Sequence, residues 1–294
     1  MFYDRLIENW DSFVAAFGEE SLREKRINSL TWDDVHSLLE EAVVINVDNV
    51  AQFLFEKIGH RHFPSLPNIR PVFPVVWFEW QTQPIVGRMA VYQKGGVVSP
   101  GFSLPFHTDS CLVFTNQEND DFIEMACISF RESKHSFVFV GLEIWECQLD
   151  GQLIRSFPLS EYLQEVLAHI GTNKVLPPAY VPMLATSFIH CKNTVLEVIN
   201  PPDRLNHARS RRGKHPLVSY RVLDVRPGNR ILETEGRINE VGLKKALHIC
   251  RGHFKDYTEK GLFGKLHGLY WWSPYVRGDI REGIALKDYR VHTN

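Results

Sequence analysis

Residues 121–151 read DFIEMACISFRESKHSFVFVGLEIWECQLDG, and this stretch decides the fold class. Asp121 to Phe130 and Ser136 to Leu149 are rich in Phe, Val and Ile, side chains that fit a pleated, half-buried surface. The polar run Arg131-Glu132-Ser133-Lys134-His135 separates them as a turn. Asp150-Gly151, between Leu149 and Gln152, is a strong two-residue hairpin signal. Upstream, Val72 to Gln81 is apolar and aromatic, and Pro84 to Lys94 follows a short polar break and ends at Gly95-Gly96. Together these segments predict a central antiparallel meander of about five strands.

The flanks differ in texture. Asp4 to Phe17 places Leu6, Ile7, Trp10, Phe13, Val14 and Phe17 at three- and four-residue spacing, the pattern of an amphipathic helix. Thr31 suits an N-cap before Trp32-Asp33-Asp34, and another helix is expected from Asp48 to Ile58, stopped by Gly59. The first 60 residues are therefore expected to be helical. Beyond the meander, Ser160 caps an expected helix reaching Ile170, while Tyr180 to His190 suits helix or strand. Leu217 to Val225 reads as a strand, and Leu247 to Tyr257 with Leu266 to Val276 as a hairpin turning around Gly261 and Gly264. The expected fold class is α+β, with N-terminal helices, the central meander and a basic C-terminal β-hairpin segment. Pro201-Pro202 marks the expected boundary between an acidic domain, 1–200, and a basic segment, 201–294, that is small enough to share its core.

Composition narrows the class. At 294 residues, with 44% hydrophobic and 23% charged side chains, the chain has the make-up of a globular protein. Five cysteines without a C-x-x-C pair do not form a disulfide framework or a zinc ribbon, which fits a reducing, cytoplasmic compartment. No apolar run reaches the ~18–20 residues of a membrane helix, and the N-terminus lacks the pattern of a signal peptide, so no membrane association is expected. The net charge of −2 conceals an asymmetry. Residues 1–200 carry 14 Lys and Arg against 25 Asp and Glu; residues 201–294 carry 19 against 10, with six of the thirteen histidines. One end is thereby suited to a polyanion, unless the two segments neutralise each other across an internal interface.

The basic segment holds the densest chemistry. His248-Ile249-Cys250-Arg251-Gly252-His253-Phe254-Lys255 is followed by Lys265, His267, Trp271, Trp272 and Arg277. On a strand, the period of two puts Arg251, His253 and Lys255 on one face, and His248 with Cys250 on the other. A histidine among cations suits phosphodiester chemistry, because one group shuttles a proton while the others hold the charge growing on phosphorus. Trp271 and Trp272 beside Arg277 suit base stacking, although the same aromatics also suit a core. Asn206 to Pro216 carries Arg209, Arg211, Arg212 and Lys214, an expected exposed loop that neutralises phosphates without reading sequence. His248-x-Cys250-x-x-His253 contains metal-ligand types, but a straight strand turns its histidines to opposite faces and no fourth ligand follows; no metal or cofactor is expected. His107-Thr108-Asp109 matches the first two ligands of a two-histidine, one-carboxylate iron site, without a compelling distal histidine.

Three motifs taken together, Asn206 to Leu223, His248 to Lys255 and Gly268 to Gly278, resemble a group of phage- and prophage-encoded proteins. These carry H-x-x-R-G-H-F-[KR] followed by G-x-x-W-x-x-P-x-x-R-G. The present chain departs from the group at Tyr275, where histidine is expected. The resemblance implies a mobile-element setting and no particular reaction.

The leading expectation is a phage-type protein that binds nucleic acid, RNA more than DNA, and cleaves RNA without a metal. In that scheme His253 shuttles the proton with His248 or His267 as partner, while Arg251, Lys255 and Arg277 stabilise the phosphorane. Lys265, Trp271, Trp272 and the Arg209–Lys214 loop hold the strand. The alternative is a non-enzymatic interaction protein, such as a host-takeover factor, inhibitor or antitoxin, that engages a host protein through its acidic N-terminal region.

Overall fold

In the computed structural model, residues 1–17, 30–58, 65–82, 91–93, 96–98, 107–133, 136–159, 177–225, 246–250, 253–272, 275–277 and 279–284 are described. The helices are α1 (Phe2–Glu8), α2 (Trp10–Phe17), α3 (Trp32–Glu41), α4 (Asp48–Ile58), α5 (Tyr180–Ile189) and α6 (Asp203–Ser210). The strands begin with β1 (Val43–Asn46), β2 (Val75–Thr82), β3 (Val91–Gln93), β4 (Gly96–Val98) and β5 (His107–Glu118). They continue with β6 (Phe122–Ser133), β7 (Ser136–Gln148), β8 (Leu153–Pro158), β9 (Thr194–Ile199) and β10 (Tyr220–Val225). The last five are β11 (Ala246–Cys250), β12 (His253–Asp256), β13 (Leu269–Trp272), β14 (Tyr275–Arg277) and β15 (Asp279–Ile284).

The expected five-strand antiparallel meander is overturned. The chain has a mixed α/β fold around an eight-stranded sheet of order β8-β7-β6-β5-β2-β1-β10-β9. Strand β1 pairs in parallel with both β2 and β10. The helical expectation for the first 60 residues missed β1, because the four-residue run Val43-Val44-Ile45-Asn46 is too short to show a period. Of the strand expected at Pro84–Lys94, only Val91–Gln93 lies among the described residues; as β3 it pairs with β4, and β5 takes the place beside β2. Sequence proximity favours hairpin partners, whereas parallel neighbours come from distant segments through crossovers and leave no turn signal.

Local chemistry explains the helices. Thr31 Oγ1 accepts from the Asp34 backbone N–H at 3.2 Å, and the Asp34 carboxylate accepts from the Thr31 N–H at 2.8 Å. This reciprocal capping box starts α3. The segment expected to be one helix from Asp4 to Phe17 is two, broken at Asn9. Gly151 closes the β7–β8 turn with φ +92°, where an added Cβ would lie 1.9 Å from the Asn68 side chain. Only glycine fits there.

Two cores lie on the two faces of the sheet. A single row crosses five strands as Val44, Trp77, Leu112, Ile128 and Leu142, each paired with the next. Helices α1 to α3 cover this face: Phe2 and Tyr3 meet Trp77 edge-on, and Trp32 meets Phe139 at 5.7 Å. Each large side chain contributes roughly 1.5–3 kcal/mol on burial, so the row outweighs any single helix cap. The opposite face carries Val76, Phe78, Val113 and Cys127, under α4 and α5, whose Phe53 and Phe188 meet at 6.0 Å. The chain divides into two compact units: residues 1–189 with 196–224, and residues 190–195 with 225–294. Helix α6 and strand β10, from the basic segment, thus belong to the first unit.

One buried acid gives the first unit a pH-dependent term. Glu143 projects from β7 into the α5 face; its Oε1 accepts from the Ala179 N–H and its Oε2 from the Trp145 Nε1–H, both at 3.1 Å. Burial raises its carboxyl to about 7, against the opposing pull of these two bonds. The folded state therefore favours the neutral acid. Its stabilising contribution is complete below the unfolded value near 4.5 and is lost as pH rises through about 7. Urea unfolding should show roughly 3 kcal/mol less stability at pH 8 than at pH 4.5 from this group. Glu143→Gln should lack that component, and an unchanged pH profile in the variant would contradict it.

Candidate functional site

In the second unit, β12 and β13 form an antiparallel hairpin that pairs His253 with Trp272, Phe254 with Trp271, Lys255 with Tyr270 and Asp256 with Leu269. Strands β11 and β14 continue the same register, with His248 opposite Arg277 and Cys250 opposite Tyr275. Strand β15 lies parallel to β11 on its other side. The far edge of β13 is closed by residues 192–193. Asn193 accepts from the Trp271 N–H at 2.9 Å through Oδ1 and donates to the Trp271 carbonyl at 2.8 Å through Nδ2. The Lys192 N–H donates to the Leu269 carbonyl. A side-chain amide thus acts as one residue of a missing strand. Gly268, at φ +124°, admits this approach, since a Cβ there would fall 2.9 Å from the Lys192 stem.

The aromatic residues are buried, while the cations beside them are exposed. Trp271 and Trp272 are only 3% and 9% exposed, and Tyr270 is buried with them. Trp271 packs on Phe254 with centroids 4.7 Å apart, and Trp272 and Tyr270 pack on Tyr257. The expectation of an open stacking platform is therefore corrected: both tryptophans are hairpin core, because a small unit needs their area to exclude water. The Trp272 Nε1–H is buried and has no hydrogen-bond partner.

His253 and Lys255 stand exposed on β12, and the Lys255 ammonium lies 4.9 Å from the Tyr257 ring centroid. Lys265 and His267 are exposed in the connecting loop. The His267 Nδ1 lies 2.9 Å from the Thr258 carbonyl, which can only accept, so Nδ1 carries the proton. In the neutral ring, Nε2 is then the proton acceptor. Of the other expected members, Arg251 lies outside the described residues. For His248 and Arg277 the backbone alone is described, and it makes them cross-strand partners.

The other basic cluster belongs to the first unit. The expected loop Asn206–Pro216 is corrected in its first part, since α6 extends through Ser210. Arg209 sits in the last turn of that helix, where it ion-pairs with Glu8 and donates to the His215 carbonyl at 2.9 Å. It fastens the turn, and its charge is paired with Glu8. Asn206 holds the returning chain by bonds to both the N–H and the carbonyl of Leu217. Between these clamps, Arg211, Arg212 and Lys214 are exposed and form no ion pair with any described residue.

The iron-site pattern at His107 resolves into an ion-pair cluster. Asp109 Oδ2 lies 3.0 Å from His107 Nε2 and accepts from Thr82 Oγ1 at 2.6 Å, while Oδ1 accepts from Arg131 Nε at 2.7 Å. Burial alone would raise this carboxyl, but the bonds and charges of His107 and Arg131 hold it below the ordinary range. Both oxygens are already engaged within the protein. Asn193 and the buried Glu79 were not singled out from sequence, because isolated Asn and Glu residues carry no spacing signal. No helix among the described residues is long and apolar enough to cross a membrane. No family model and no curated protein matches the chain.

The Asn193 clamp yields a direct test. Asn193→Ala should leave the Trp271 N–H and carbonyl unpaired and lower the stability of the hairpin by about 2–3 kcal/mol. Hydrogen exchange at residues 253–256 and 269–272 should accelerate accordingly. Asn193→Asp, which keeps the acceptor and loses the donor, should also weaken the hairpin.

Proposed function

We propose that this chain binds single-stranded nucleic acid, RNA in preference to DNA, in a phage-type setting. The contacts are the exposed cations of the β12–β13 hairpin and of the Arg211–Lys214 turn. The observation that carries this reading is the state of those cations. Lys255, Lys265, Arg211, Arg212 and Lys214 form no ion pair with a described residue, although residues 1–200 alone supply 25 acidic side chains. Internal neutralisation does occur, as Arg209 with Glu8, but it leaves these five available. Both clusters are held on clamped backbone, Asn193 under the hairpin and Asn206 under the turn, so their cations are presented at little cost in chain entropy. With the tryptophans buried, affinity comes from phosphate contacts and not from stacking.

RNA cleavage is the finer part of the proposal. His267, with Nδ1 donating to Thr258, has the orientation of a general base: its Nε2 removes the proton from a ribose 2′-hydroxyl, whose oxygen then attacks phosphorus. Protonated His253 returns a proton to the departing 5′-oxygen, and Lys255 and Lys265 hold the charge on the phosphorane. This 2′-hydroxyl step restricts cleavage to RNA.

Fluorescence anisotropy with matched RNA and DNA oligonucleotides over a salt series tests the binding. Affinity for RNA should fall steeply with salt, and Lys255→Glu with Lys265→Glu should flatten the slope by at least about 1.4, the value for two lost single-strand phosphate contacts. Salt-insensitive binding, or none, would overturn the reading. A nuclease-resistant complex with one host protein would replace it with the interaction-protein alternative. Cleavage is assayed in EDTA, where His267→Ala and His253→Ala should each reduce the rate by at least about 100-fold. An unreactive wild type would remove the catalytic part and leave the binding part standing.

A further inference from the structure

Within the first unit, the α1 face of the sheet changes character along the strands. Its buried row through Val44, Trp77 and Leu112 gives way, two residues onward in β1 and β2, to Asn46 paired with Glu79. A further step brings Gln81 opposite Thr108. These polar side chains form the floor of a cleft of about 270 Å³ at the carboxyl ends of the parallel strands, walled by Phe2 and Arg5 of α1 and by Tyr220 of β10. Crevices at the carboxyl ends of parallel strands are the usual ligand sites of α/β sheets.

The charges around the cleft are almost entirely paired. Arg5 forms a two-pronged bond to Glu132, and the Met1 amino group lies 3.6 Å from Asp4. Asp48 accepts from the Gln81 N–H at 2.6 Å and from Asn46 Nδ2 at 3.0 Å, one bond to each oxygen. Glu79 is the exception. It is 95% buried, with relative exposure of 5%, and its Oε2 accepts from the Tyr3 N–H and the Trp77 Nε1–H. Its Oε1 accepts no hydrogen bond from a described residue; the Met1 ammonium, which also lines the cleft, acts on it through space and pairs instead with Asp4. Burial holds this carboxyl above the ordinary range despite the bond from Tyr3, the nearby Met1 ammonium and the bond from Trp77. A buried carboxylate with one oxygen open to a cleft is a costly arrangement that an incoming positive donor relieves.

We propose that this cleft binds a small organic cation, a primary ammonium or guanidinium group, with its charge received by Glu79 Oε1. The Gln81 amide and the Thr108 hydroxyl, whose side chains make no hydrogen bond with a described residue, supply the remaining polar contacts. The half-buried Tyr220 side chain takes the apolar stem. Anions are disfavoured, because Arg5 is spent on Glu132 while Asp48 and Glu79 contribute negative charge.

Isothermal titration calorimetry of the full chain with agmatine, putrescine and the anionic control glutarate tests the site. Agmatine or putrescine should bind with one-to-one stoichiometry and glutarate should not. Glu79→Gln should weaken the cation at least tenfold. Because Glu79 is buried, a second pair of variants at the exposed Gln81 guards against misfolding: Gln81→Glu should tighten binding several-fold, and Gln81→Lys should weaken it. Absence of heat with either cation, preference for glutarate, or no response to the Gln81 charge changes would overturn the proposal.

Discussion

Strand β2 is the constraint on which the first unit depends. Six consecutive residues, Val75 to Trp80, are buried, so both faces of the strand are core. It is also where the two halves of the sheet meet, parallel to β1 on one edge and antiparallel to β5 on the other. Trp77 anchors the α1–α3 side and Phe78 the α4–α5 side. Since side chains alternate, a one-residue slip of β2 would exchange these two cores and fit neither. The same strand carries Glu79 to the end of the apolar row, so packing of the core also places this carboxylate at the cleft.

The hairpin unit solves a different problem. It is small, and it uses its aromatic residues as core in two groups, Phe254 on Trp271 and Tyr257 on Tyr270 and Trp272. That packing leaves the cations outside. Position along the chain joined tryptophans and cations into one apparent site, whereas burial sorts them into a support and a surface. Asn193 and Asn206 play matching parts in the two units, each using one amide to bond both the N–H and the carbonyl of a distant backbone residue. Such clamps make exposed positive turns rigid without spending the charge.

Legibility in the sequence followed the range of each interaction. Thr31 and Asp34 lie three residues apart, and their reciprocal bonds are written in that spacing. The Asp150-Gly151 turn and the helix from Asp48 to Ile58 are likewise local. Strand β5 is not legible locally because its segment His107–Glu118 opens with His-Thr-Asp-Ser, which resembles a metal motif. Arg209 looked like one of a run of equivalent cations until folding brought Glu8, 201 residues away, against it.

Local turns and caps, the concentration of strands in the middle of the chain and the division of charge between its acidic and basic parts are all written in the residue order. These follow from covalent geometry and composition, which need no distant partner. Long-range packing sets the insertion of β1 between β2 and β10, the burial of Trp271 and Trp272, and the placing of Glu79 at a cleft. Parallel pairing closes long loops and burial depends on the whole packed layer, so both are set by contacts between segments far apart in the chain.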